Sequence, residues 1–248
     1  MPDRRLPLPR WEIPGASLPR ALRFFAADYP NAMRLRLRPH GAHPPSWWAH
    51  GDRAPVVLLP GVFEPWHYLG PIGDRLNREG HPVIALPELG RNQLRVTESA
   101  AVVRRVLQER DLRRIVLVAH SKGGLIGKLL LSQDADERIQ RLVAVATPFR
   151  GSTMASWMLS RPLRDFRISD ATIVALADAS TVEARITSIY PLFDPHIPEG
   201  SRLPGARNVP LRMAGHFAPI LSPLAIDVIA REVDRADQVD RRDAAPEG

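Results

Sequence analysis

Ser121 stands between the apolar run "IVLVAH" (115–120) and the pair Gly123-Gly124. A serine held between a buried strand and a helix takes up strained backbone angles. The residues two places to either side must then carry little or no side chain, as Ala119 and Gly123 do here. The pentapeptide thus has the form of the G-x-S-x-G nucleophile elbow with alanine in its first place. The chemistry such a turn serves is acyl transfer, because a serine hydroxyl becomes a useful nucleophile once a neutral imidazole takes its proton. A helix beginning at Lys122 would also direct N–H groups and a positive dipole end at developing negative charge, which makes the Lys122 N–H one donor of an oxyanion hole.

In an open parallel sheet, ligands bind beyond the carboxyl ends of the strands. The sequence supplies such strands as short runs rich in β-branched residues: "VVLLP" (56–60), "VIALP" (83–87), "IVLVAH", "LVAVAT" (142–147), "RITSIY" (185–190) and "NVPLRM" (208–213). Helical patterns lie between them at 68–79, 96–110 and 122–132, and a last helix is expected from Ser222-Pro223 to about Val233. The alternation predicts an α/β fold, a mostly parallel central sheet with helices on both faces. Ahead of it, Ser17 would cap a short helix over 17–28. In "MRLRLR" (33–38), Met33, Leu35 and Leu37 alternate with arginines, the period of a half-buried strand. The segment 151–183 fits the alternation poorly. It is expected to form one or two helices over the top edge of the sheet, either an ordinary crossover or a lid over an acyl pocket.

The stretches "LLPGVFEPW", "AHSKGG", "ATPFRGS", "SIYPLFDPHIP" and "MAGHFAPILSP" resemble the α/β-hydrolase superfamily, and within it bacterial triacylglycerol lipases and esterases. The resemblance spans roughly 55–233. It implies a triad in the chain order Ser, Asp, His, at Ser121, Asp194 and His216. The residues agree with it: Asp194 and His216 each fall a few positions beyond a candidate strand, so all three would meet at one edge of the sheet. His216 would be the base, with Asp194 holding its tautomer and stabilising its protonated form. His196 is a rival base, but it would have to share a turn with its own acid. By similarity with the lipases, the second oxyanion donor is the Val62 N–H, with Phe63 as a substitute, since Pro60-Gly61 stands where the family has His-Gly. Phe63 and Trp66 are candidates for a substrate wall, whereas His120 is expected to pack. The implied activity is carboxylic-ester hydrolysis through an acyl-enzyme, with no metal or other cofactor. The alternatives are acyl transfer on the same triad, or a non-catalytic protein of this fold that binds a hydrophobic ligand or a partner.

Composition narrows the field. The 44% hydrophobic and 25% charged content is that of an ordinary globular chain with one core. The domain reading is an N-terminal extension at 1–30, the hydrolase domain at 31–233 and a charged tail at 234–248. The formal charge is +7, yet 32 of the 34 basic residues are arginines scattered along the chain, which is no nucleic-acid footprint. The absence of cysteine excludes disulfides, thiolate metal sites and a cysteine nucleophile. No membrane-spanning run occurs, and the N-terminus lacks the apolar stretch of a signal peptide, so a cytoplasmic protein is expected. The expected partner is a small-molecule or lipid ester; peripheral membrane contact and oligomeric state stay open.

Overall fold

A computed structural model describes residues 18–37, 41, 43–157, 160–178 and 180–243. The Pro- and Arg-rich start and the Ser17 cap lie outside these residues, as does the end of the tail, 244–248.

Six parallel strands form one sheet: β1 (Val56–Leu59), β2 (Val83–Ile84), β3 (Ile115–His120), β4 (Ile139–Val145), β5 (Ile186–Phe193) and β6 (Arg207–Ala214), in the order β2-β1-β3-β4-β5-β6. Every residue of β1 and β3 is buried, and alternate side chains serve opposite faces. Val57, Leu59, Leu117 and Ala119 pack with α3 (Val96–Glu109) and α4 (Lys122–Ser132). Val56, Leu58, Val116 and Val118 pack with α2 (Gly70–Arg78) and α8 (Pro223–Asp243) on the other side. Burial on both faces explains why these strands read as continuous apolar runs.

From β1 the chain steps outward to β2 and then crosses to β3 on the far side of β1. The strand order therefore reverses between β1 and β3, the switch point where a crevice opens beyond the strand ends. Register brings the ends level: Leu59 pairs with Ala119, His120 with Val145, and Val145 with Ile189. β5 and β6 run on until Phe193 pairs with Ala214. Asp194 and His216 follow directly.

Several expectations are corrected. "MRLRLR" is no strand. Helix α1 runs from Leu18 to Leu37 through Pro30, well past residue 28 and across the boundary set at 30/31. Leu35 is fully buried whereas Met33 is 50% and Leu37 72% exposed, so the three do not share a face as strand residues would. Arg, Leu and Met are good helix formers and none is β-branched, so local propensity outweighs the alternation. β2 is two residues long because Pro87 opens a 3-10 turn at Pro87–Leu89. Helix α8 continues ten residues beyond Val233, to Asp243. Ala236 and Asp237 are buried there, and Asp234 pairs with Arg53 at 2.7 Å and His81 at 3.2 Å.

Between β4 and β5 lie a 3-10 turn (Thr153–Trp157), α5 (Arg161–Arg164), α6 (Ala171–Asp178) and a second 3-10 turn (Ser180–Arg185). α6 places Ile173 and Leu176 in the core, and Glu183 pairs with Lys128 of α4 at 2.9 Å. A short helix α7 (Ala218–Leu221) follows β6. No helix among the described residues is long and apolar enough to cross a membrane.

Candidate active site

Ser121 sits between β3 and α4 at φ 51°, ψ −118°. Its N–H donates to the Val145 carbonyl at 2.9 Å, which ties the turn to the next strand. The turn tolerates no side chain on its helical side. A Cβ on Gly123 would lie 2.0 Å from the Leu59 carbonyl oxygen, and one on Gly124 would lie 2.0 Å from Thr147 Oγ1. Close approach of α4 to the sheet is thus what the two glycines provide. Lys122 opens α4, so its N–H is among the four that a helix leaves without an intrahelical acceptor. Its ammonium turns away, buried against the carbonyls of Asn92, at 2.9 Å, and Leu94. Burial lowers its pKa to about 8.

Asp194 and His216 meet as the strand ends require. His216 Nδ1 lies 2.7 Å from Asp194 Oδ2, and both residues are at least 95% buried. Asp194 Oδ1 accepts the His196 N–H at 2.8 Å. Burial disfavours charge on both groups, but their mutual attraction outweighs it. The Asp194 pKa therefore falls below its ordinary value and the His216 pKa rises above its own. Nδ1 being engaged, Nε2 is the nitrogen of His216 left to accept a proton. The His196 ring is 3.9 Å from Asp194, and burial followed by the charge of His216 depresses its pKa to about 4.

The loop after β1, where the oxyanion donors are expected, is a tight turn over Gly61–Glu64. The Glu64 N–H donates to Gly61 O at 3.3 Å, and the Gly61 N–H donates to Glu64 Oε2 at 2.7 Å. Phe63 is in the left-handed region at φ 62°. The N–H groups of Val62 and Phe63 donate to no described residue. Asn92 Nδ2 braces the loop from behind by donating to the Pro60 carbonyl at 2.7 Å.

Ser121, His216, Val62 and Phe63 all line one cavity of about 420 Å³, with Lys122 and Asp194 behind its wall. Met154, Ala155, Leu163 and Phe166 from the segment between β4 and β5 line it as well, as do Ile197 and Phe217. Trp66 is corrected: it packs edge-on against Trp48 in the core, ring centres 5.8 Å apart, and lies outside the lining. It opens the 3-10 turn Trp66–Leu69, which directs it under the loop and brings Tyr68 to the cavity instead.

Sequence reasoning missed two buried residues, Glu64 and Asp28, and the bonding role of a third, His120. His120 is no mere packing residue: Nδ1 lies 2.8 Å from Glu64 Oε1 and Nε2 lies 3.0 Å from the His216 carbonyl. Glu64 and His120 thereby join the loop after β1, the serine turn and the histidine loop. Asp28 of α1 accepts the N–H groups of His216 at 2.5 Å and Phe217 at 3.0 Å. The only sequence signal was a carboxylate in an otherwise apolar stretch of α1 and another beside the Gly61 turn.

Asp194, His196 and His216 offer ligand atoms within 4.8 Å of one another, the spacing of a metal site. The Asp194 oxygens and His216 Nδ1 are already bound to each other and to the His196 N–H, so a cation there would displace those bonds.

The family model for the alpha/beta hydrolase fold matches residues 54–180, just over half of the chain. No curated protein matches the sequence. Among solved structures, the mature lipase BlEst2 of Bacillus licheniformis is similar at a TM-score of 0.57 and 16% identity, over 77% of this chain and 96% of that one. An extracellular alpha/beta-hydrolase of a Paenibacillus species, which shares structural and functional homology with tobacco salicylic acid binding protein 2, gives 0.54 and 17%, over 74% and 99%. A carboxylesterase structure from the thaumarchaeon Nitrososphaera gargenis gives 0.54 and 15%, over 77% and 94%. At these identities the likeness is one of fold.

Proposed function

Because the chain belongs to the alpha/beta hydrolase fold family, we propose that it is a serine hydrolase cleaving carboxylic esters through an acyl-enzyme on Ser121. One observation carries this reading: the Asp194–His216 pair, bonded at 2.7 Å, opens on the same cavity as a serine held at positive φ.

In the reaction, His216 Nε2 takes the proton of Ser121 as Oγ bonds to the ester carbonyl carbon. The negative charge formed on the carbonyl oxygen is met by the N–H groups of Val62 or Phe63 and of Lys122. Collapse breaks the bond to the alcohol oxygen, which leaves with the proton from His216. Water then repeats the cycle on the acyl-enzyme and releases the acid. Asp194 stabilises the imidazolium at both stages and stays ionised. The apolar wall of Met154, Leu163, Phe166 and Ile197 suits a medium or long acyl chain, and the cavity is of the size that holds a small ligand.

The test is the initial rate on nitrophenyl esters of increasing acyl length, with Ser121→Ala alongside. The proposal expects turnover by the native chain and a loss on the order of 10⁶ in the variant. Equal rates from the two proteins would remove it.

A further inference from the structure

Of the carboxylates nearest the catalytic cavity, Glu64 is bound to His120, Asp194 to His216 and Asp28 to the N–H groups of His216 and Phe217. Two arginines also line the cavity, Arg36 from the last turn of α1 and Arg91 from the turn after β2, and neither has a carboxylate partner among the described residues. Arg91 lies over the Phe63 ring, 5.9 Å from its centre, and so beside the oxyanion loop. Tyr68, 8% exposed, lines the same cavity within electrostatic reach of both arginines, and its hydroxyl bonds to no described residue.

A solvated arginine on an open surface calls for no ligand. Arg36 and Arg91 are themselves exposed, but both lie on the rim of one apolar-walled cavity beside a buried, unbonded phenol, and guanidinium forks match carboxylate and phosphate oxygens. From this juxtaposition we infer that the ester substrate is itself an anion: a carboxylic ester carrying a second, ionised carboxylate or phosphate, held by Arg36, Arg91 and Tyr68 while the ester carbonyl lies against Ser121. The inference rests on the ester-hydrolase reading above. Tyr68 is suited to its part. Burial, then the Glu64 charge, raises its pKa while Arg36 and Arg91 pull it back, so the hydroxyl stays protonated and donates.

The charge could ride on the acyl chain or on the alcohol, and matched esters separate the two. Mono-4-nitrophenyl adipate is compared with 4-nitrophenyl hexanoate, and 4-carboxyphenyl hexanoate with its methyl ester, each rate divided by that ester's hydroxide-catalysed rate. The full chain is expected to favour one anionic ester by about tenfold or more in kcat/KM, the order of one charge-assisted hydrogen bond. That ratio should fall toward one in the double variant R36Q/R91Q, fall partly in Tyr68→Phe, and shrink with added salt. Arg235→Gln, on the far part of α8, should leave it unchanged. Adipate binding to Ser121→Ala, measured by calorimetry, provides a readout free of catalysis and should weaken about tenfold when R36Q/R91Q is added. If neutral esters are hydrolysed and neither anionic ester is favoured, or if the preference survives R36Q/R91Q, the inference is wrong. If no ester is hydrolysed while adipate binds through the two arginines, the anion site stands and the ester reading is what fails.

Discussion

His120 holds Glu64 at 2.8 Å in a buried pair, although one ends β3 and the other lies in the loop after β1. Both ring nitrogens of His120 face oxygen, those of Glu64 on one side and the His216 carbonyl on the other. Glu64 in turn receives the Gly61 N–H. One pair thereby sets the separation of the loop after β1, the serine turn and the His216 loop.

Replacing Glu64 by Ala is expected to lower stability by about 3–5 kcal/mol, because it strands a buried imidazole and an N–H group. Urea unfolding measures this. Glu64→Gln keeps an acceptor for Gly61 and should fold. It should lower kcat more than it raises KM, since the donors it positions act chiefly in the transition state. A pure KM effect would mean that the pair does not position the oxyanion loop.

Asp28 clamps the histidine loop from α1 by accepting two N–H groups. Asp28→Ala leaves both unsatisfied in a buried place, at about 1–3 kcal/mol. Asp28→Asn retains one acceptor oxygen and should recover part of the loss in both melting temperature and kcat. Identical behaviour of the two variants would contradict the clamp.

A pH dependence follows from the Asp194–His216 pair. Burial opposes the charged form of His216, but Asp194 outweighs it, so its folded pKa lies above 6.5. As the proposed base, His216 would act in its neutral form, so kcat/KM should rise with pH along a one-proton limb centred above 6.5, and Asp194→Asn should move that midpoint down. Stability runs in the other direction. The His216 contribution is fully present below its unfolded value and is lost as pH rises through the folded one. The Asp194 contribution is present above its unfolded value and is lost as pH falls through the folded one. The pair therefore stabilises most between about 3.8 and 6.5. Urea unfolding of the native chain and Asp194→Asn should differ most in that window; a constant difference would refute the coupling.

The two glycines after the serine should differ. Gly123→Ala drives a methyl into the Leu59 backbone carbonyl, which cannot move aside, and is expected to abolish folded expression. Gly124→Ala meets the Thr147 side chain instead, with an overpacking penalty of about 1–3 kcal/mol. Adding Thr147→Gly should recover stability in the second case and not in the first, as thermal melts would register.

Much of the site was legible because its signals are local. The small residues around Ser121 encode a sharp turn, and the apolar runs ending just before Asp194 and His216 encode strands that deliver them to one edge. What stayed hidden depends on contacts far apart in the chain. Asp28 reaches His216 across 188 residues, and Glu64 reaches His120 across 56. Nothing near either carboxylate foretells the partner. "MRLRLR" misled because alternation of apolar and charged residues looks alike whether one residue turns inward or three do. Trp66 misled because an aromatic residue beside an active loop packs beneath it as readily as it lines the cavity.

The nucleophilicity of Ser121 is the central claim. A fluorophosphonate probe, with the modified residue located by mass spectrometry, tests it without any assumption about substrate. One adduct on Ser121 is expected, formed at least 10²-fold more slowly in His216→Ala, the scale of general-base assistance, and with little change in His196→Ala. No adduct on the folded native chain, an adduct on another residue, or equal labelling rates in His216→Ala would contradict the account.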